Sequence, residues 1–104
     1  MHTRLFYSNV QQGKTDEAVR VLTEFAQRAK SEQKGCILVQ VLQSGNEVMG
    51  VSSWETQQDL VGYADSDLAR ELFKRIGPLL IGMPTVRSYE VKVNLCDPAA
   101  LKPA

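Results

Sequence analysis

Residues 36 to 42 read Cys-Ile-Leu-Val-Gln-Val-Leu, apolar at every position but one, in a chain of only 104 residues. A strand with one wet face alternates polar and apolar, so this run is expected to be a β-strand buried on both faces. A chain this short holds one domain and one core. We therefore read residues 1–96 as a single domain, followed by a C-terminal tail over 97–104 that contains two prolines and three alanines and is loosely held.

The rest of the chain arranges itself around that strand. Leu5, Phe6, Tyr7 and Val10 give residues 3 to 10 the aromatic and β-branched bias of a first strand. Gln11-Gln12-Gly13 interrupts it, and Thr15 or Asp16 is expected to cap a helix with Glu17 in its first turn. Ala18, Val21, Leu22, Phe25, Ala26 and Ala29 then recur at steps of three and four, one apolar stripe on a helix that ends before Gly35. Ser44-Gly45-Asn46 supplies turn chemistry between the 36–42 strand and Val48 to Trp54, so residues 36 to 54 form a hairpin.

Thr56 to Asp59 has the spacing of a capping box, and Leu60, Tyr63 and Ala64 share a helical face. Asp65-Ser66-Asp67 offers a second cap. Leu68, Leu72, Phe73 and Ile76 carry the stripe on to Gly77-Pro78, so this helix is expected to be bent or split near Ser66. After Gly82-Met83-Pro84, Tyr89, Val91, Val93 and Leu95 alternate with Ser88, Glu90, Lys92 and Asn94, which predicts a last strand over 86–95. The order β-α-β-β-α-β is that of the ferredoxin-like, α+β arrangement: an antiparallel four-stranded sheet with two helices on one face. Two helices leave the other face bare. A second copy of the chain, paired face to face about a two-fold axis, is the simplest closed cover, so a homodimer is expected.

Composition narrows the function. Twelve Lys and Arg balance twelve Asp and Glu, so no basic field exists to hold nucleic acid. No segment has the roughly 20 apolar residues of a membrane span, and no apolar leader follows Met1, so we expect a cytoplasmic protein with no membrane partner. Cys36 and Cys96 lack CxxC spacing, which leaves them as free thiols, and no metal-ligand spacing, phosphate loop or dinucleotide fingerprint occurs.

Gly50-Val51-Ser52-Ser53-Trp54-Glu55, with Leu60, Tyr63 and Ser66 beyond it, resembles the antibiotic biosynthesis monooxygenase family. Ile76-Gly77-Pro78-Leu79-Leu80, Pro84 and Tyr89-Glu90-Val91 are similar to many of its members, so the resemblance spans most of residues 3 to 95. It implies a dimeric α/β barrel with a pocket in each monomer between sheet and helices. Members include oxygenases of quinols and anthrones that need no metal or flavin, and haem-degrading enzymes. For the haem-degrading branch, Tyr63 falls at the aromatic position but Phe73 stands where the iron-ligating histidine belongs, and Phe6 rather than Asn9 falls near the asparagine position. Phenylalanine cannot ligate iron, which argues against that branch.

The resemblance then implies a cofactor-independent monooxygenase acting with molecular oxygen on a small aromatic of quinol or anthrone type, with no cofactor. Tyr63 and Trp54 are its candidate catalytic residues. Ser52, Gly50, Phe25, Phe73 and Met83 are candidate substrate-binding residues. Gly50, Ser52 and Trp54 share a strand face by their two-residue spacing; Gly50 leaves room for a flat ring, and a hydroxyl at Ser52 or Tyr63 can hold a substrate oxygen. Each also has a plainer reading, with Trp54, Tyr63, Phe25, Phe73 and Met83 as packing residues and Gly50 as a bulge. The alternative function is accordingly a non-catalytic dimeric domain that binds a small apolar ligand or serves a structural role. A lactone isomerase on the same fold has no residue evidence in its favour.

Overall fold

The computed structural model describes residues 1–97. The tail expected over 97–104 lies, from residue 98 onward, outside the described residues. The elements follow in the order β1 (His2–Asn9), α1 (Thr15–Glu32), β2 (Cys36–Ser44), β3 (Glu47–Trp54), α2 (Gln57–Ala64), α3 (Asp67–Ile76), a 3-10 turn (Gly77–Leu79) and β4 (Thr85–Glu90). All strand pairs are antiparallel in one open sheet of order β2-β3-β1-β4. This is the ferredoxin-like fold.

Even-numbered residues of β1 and β3 face the helices. Phe6 lies opposite Gly50, Arg4 opposite Ser52 and His2 opposite Trp54. Against them α1 lays Ala18, Val21, Leu22, Phe25 and Ala29, the stripe its three- and four-residue spacing announces. α3 adds Leu68, Ala69, Leu72 and Ile76. Outside this core, the guanidinium groups of Arg28 and Arg75 lie 5.3 and 5.2 Å from the centre of the Phe25 ring. Arg28 also pairs with Glu71 at 3.1 Å and Arg75 with Glu24, tying α1 to α3 through exposed ion pairs that each contribute little.

The split of the second helical region has a local cause. The Ser66 hydroxyl donates to the Tyr63 carbonyl at 2.6 Å, closing α2, and accepts from the Ala69 amide at 3.2 Å, opening α3. Thr56 caps α2 by accepting from the Asp59 amide at 3.0 Å. Gly35, at φ +78°, turns the chain from α1 into β2 directly beneath α2; a Cβ there would stand 2.1 Å from Asp59 Oδ2, so only glycine fits.

Three expectations are corrected. α1 begins at Thr15 itself with Lys14 in the cap position and no side-chain cap bond, because the turn at Gly13 brings the chain into helical geometry one residue early. The acidic Asp16 and Glu17 compensate the helix dipole instead. β2 is not buried on both faces in the single chain: it is an edge strand, covered by α1 on one side, with Ile37 and Leu42 44% and 46% exposed. The last strand stops at Glu90 rather than 95: its ladder with β1 ends at the His2–Glu90 pair, followed by a single bond from the Val91 amide to the Met1 carbonyl at 2.9 Å, and Val93 and Leu95 are exposed.

Candidate functional site

A cavity of about 40 Å³ lies between the helix-facing side of the sheet and the two helical segments above it. Its apolar wall is Phe6, Leu22, Phe25, Val41, Ala69, Leu72 and Phe73, and Gly50 forms part of its floor. Phe6 and Phe73 meet edge to face, with centroids 5.3 Å apart and planes at 72°, so the half-buried Phe73 packs on the core through the buried Phe6 ring. Gly50 earns its place by what it omits. A Cβ there would reach Leu22 and Phe6 at 3.8 Å, ordinary contact, so alanine fits and anything larger enters the cavity.

The polar wall comes from three elements. Tyr63 of α2 stacks on Trp54 of β3, with centroids 5.0 Å apart and planes at 21°. The Trp54 indole N–H donates to Ser52 Oγ at 3.0 Å, two residues back along the same strand face. That bond occupies an acceptor site of Ser52 and leaves the hydroxyl proton free to be donated. Arg4 of β1, opposite Ser52, places its guanidinium 5.7 Å from the centre of the Tyr63 ring.

Electrostatics sharpen these roles. Burial raises the Tyr63 pKa above its ordinary 10.0, opposed by the nearby Arg4 charge and reinforced by Cys36. The side chain is therefore a neutral phenol at physiological pH, a hydrogen-bond donor and not a base. Burial lowers the Arg4 pKa, with Tyr63 and Asp65 acting the other way, yet a guanidinium keeps its proton regardless. Burial likewise raises the Cys36 pKa, and a thiol held protonated is a poor nucleophile.

The structure thus brings Tyr63, Ser52, Gly50, Phe25 and Phe73 around one cavity. Trp54 is fully buried and stands behind Tyr63 and Ser52 instead of lining the space. Its part in the site is to position those two side chains. Met83 does not join them: it is 88% exposed on the loop before β4, because Gly82 at φ +72° and Pro84 hold that loop away from the core. Arg4 is the residue that sequence reasoning missed. Its even position, in phase with Phe6 and Ser8, was the available signal.

Among the described residues no group of three or more His, Cys, Asp or Glu could hold a metal ion, and no helix is long and apolar enough to cross a membrane. A second, open cleft of about 770 Å³ runs along the β2 edge between α1 and the segment after β4, lined by Lys30, Ile37, Leu38, Asn94 and Cys96 among others. It holds none of the candidate residues.

Solved structures share this fold. A candidate antibiotic biosynthesis monooxygenase from Deinococcus radiodurans superimposes with a TM-score of 0.81 at 12% identity, covering 93% of this chain and 98% of that one. One from Caulobacter crescentus CB15 gives 0.77 at 18% identity over 86% and 88% of the two chains. A conserved protein from Methanosarcina mazei Go1 gives 0.77 at 18% identity over 88% and 92%. Identities this low show the fold alone, and no curated protein matches the sequence. The sequence pattern of the family described as antibiotic biosynthesis monooxygenase matches residues 1–75, nearly three quarters of the chain, and the protein belongs to that family.

Proposed function

We propose that the chain is a cofactor-independent monooxygenase whose substrate is a flat aromatic of quinol or anthrone type. The observation that carries this reading is the cavity itself, which sets a glycine floor and phenylalanine walls against hydroxyl donors from Ser52 and Tyr63 in a chain of this family. An electron-rich ring that has lost a proton can reduce oxygen directly. Oxygenating an anthrone methylene turns CH2 plus O2 into C=O plus H2O: the substrate gives up four electrons, one oxygen atom stays in the product and the other leaves as water. No external reductant enters. The protein's share is to hold the ring anion and to exclude water.

A cavity of about 40 Å³ admits a few waters or dioxygen but no ring, whereas ligand pockets are roughly 300 Å³ and more. On this reading Phe73, half-buried at the wall, swings aside on binding. The same small volume favours the alternative, a non-catalytic domain. Oxygen uptake by chelator-treated protein with naphthalene-1,4-diol and anthrone, each corrected for autoxidation, separates them. Saturable protein-dependent uptake on the order of 1 per second or faster is expected. Absence of uptake across such a panel leaves the non-catalytic reading.

The working unit is a homodimer. The helix-free face of the sheet carries Leu5, Tyr7, Leu38, Leu42, Met49, Val51 and Tyr89, none of them buried in the single chain. Such a contiguous apolar face marks an association surface. Sedimentation at micromolar concentration should give twice the 11.6 kDa chain mass. A monomer there would refute the pairing.

A further inference from the structure

The side-chain polar groups around the cavity are matched in kind, and the match identifies what they hold. Arg4 has only donors and a fixed positive charge. Ser52 has an acceptor site taken by Trp54 and a proton left to give. Tyr63 is a phenol with no hydrogen bond to the protein among the described residues, and no side-chain oxygen there is a buried orphan. Gln40 also borders the cavity, but it lies opposite Val51 and its side chain belongs to the exposed, helix-free face. Ionised acceptors are missing. No ion pair joins a carboxylate among the described residues to Arg4, Arg20 or Arg87, and of these three only Arg4 is half-buried and lines the cavity.

A half-buried cation over an aromatic ring, lining the cavity with two hydroxyl donors and with no carboxylate in contact, Asp65 acting on it only from beyond 4.0 Å, keeps capacity for an anion in the free protein. We infer that the cavity binds an aromatic anion, with the Arg4 guanidinium pairing the anionic oxygen and the Ser52 and Tyr63 hydroxyls donating to it. The inference rests on the cavity being the ligand site and adds the residue that pairs the ligand's charge. The anionic oxygen belongs to a ring carboxylate or to an ionised phenol; for a phenol, its proton passes to solvent while Arg4 keeps its own. The titratable groups facing Arg4 are Tyr63 and Asp65, and Cys36 faces Tyr63.

Calorimetry with 2-naphthoate and its neutral counterpart 2-naphthalenemethanol tests the charge. Wild-type protein should prefer the naphthoate by about tenfold or more. Arg4→Gln should abolish the preference while still binding the alcohol, and Arg4→Lys should restore part of it. A second arm uses 5-hydroxy-1,4-naphthoquinone, whose colour reports ionisation of its phenol; bound to wild type, its pKa should fall by about one unit or more, and bound to Arg4→Gln it should not. Preference for naphthoate alone identifies a carboxylate ligand, and a shift of the quinone alone identifies a phenolate. Equal binding of alcohol and naphthoate together with an unshifted quinone overturns the inference and leaves the oxygenase reading to its own uptake test. Discrimination unchanged in Arg4→Gln overturns the role of Arg4. Binding of none of the probes overturns the anion inference and the ligand cavity together.

Discussion

Replacing Trp54 with alanine is expected to cost about 3–5 kcal/mol, the range for deleting a large buried aromatic. The indole is 0% exposed at the end of β3, between the sheet and Tyr63. Three contributions vanish together: the buried area, the stacking on Tyr63 worth roughly 1 kcal/mol, and the bond to Ser52. Against a total stability of about 5–15 kcal/mol for a domain this size, the loss is severe. Urea denaturation should show the midpoint lowered by roughly 2 M, given a slope near 2 kcal/mol/M. Trp54→Phe keeps most of the ring and should lose far less. A shift below about half a molar for the alanine variant would mean that the indole does not close the core.

Filling the floor of the cavity should remove ligand binding with little harm to the fold. Gly50→Ala places one methyl at 3.8 Å from Leu22 and Phe6, a distance of ordinary contact, so the variant should fold normally. Gly50→Val adds two further methyls that must enter the cavity or push Leu22 and Phe6 aside. Overpacking of this kind costs about 1–3 kcal/mol, and the gain in β-propensity offsets part of it in the folded protein. The same cost charged to a bound ring weakens 2-naphthoate by roughly 10- to 100-fold. Affinity should therefore fall from glycine to alanine to valine while the circular dichroism spectrum stays constant. If the valine variant binds as tightly as wild type, the ring does not lie over residue 50.

Much of this architecture was legible in the sequence because periodicity reports burial directly. The α1 stripe, the hairpin turn at Gly45 and the break at Ser66 are local signals, and each appears where its residues put it. Sheet edges are not local. The apolar run from Cys36 to Leu42 says that both faces avoid water, but not that the strand is outermost, with its second face bare in the single chain. The alternation from Tyr89 to Leu95 is genuine, yet the ladder ends at the His2–Glu90 pair, and alternation along one strand does not report how far its partner follows it.

The site divides in the same way. Gly50 and Ser52 follow from two-residue spacing, and Tyr63 from its helical face. Trp54 had the right place but a supporting part, because only the packing reveals that Tyr63 stands in front of it. Arg4 went unseen because an arginine in a first strand ordinarily reads as solvent-facing; the antiparallel register opposite Ser52, together with α2 passing overhead, is what turns it inward.

The strand order also governs the route by which the chain acquires this structure. β1 is made first, yet both of its neighbours, β3 and β4, are made later, and β4 is the last strand of all. During synthesis, the most apolar part of the N-terminal strand must wait without its sheet, while the β2–β3 hairpin closes on short-range contacts alone. Closing the sheet then requires β1 to pair across the two longest sequence separations among the strand pairs, an entropic cost met only at the end. A nascent chain stalled before residue 85 would carry a central strand with one open edge, the species from which chaperones most need to shield a growing protein.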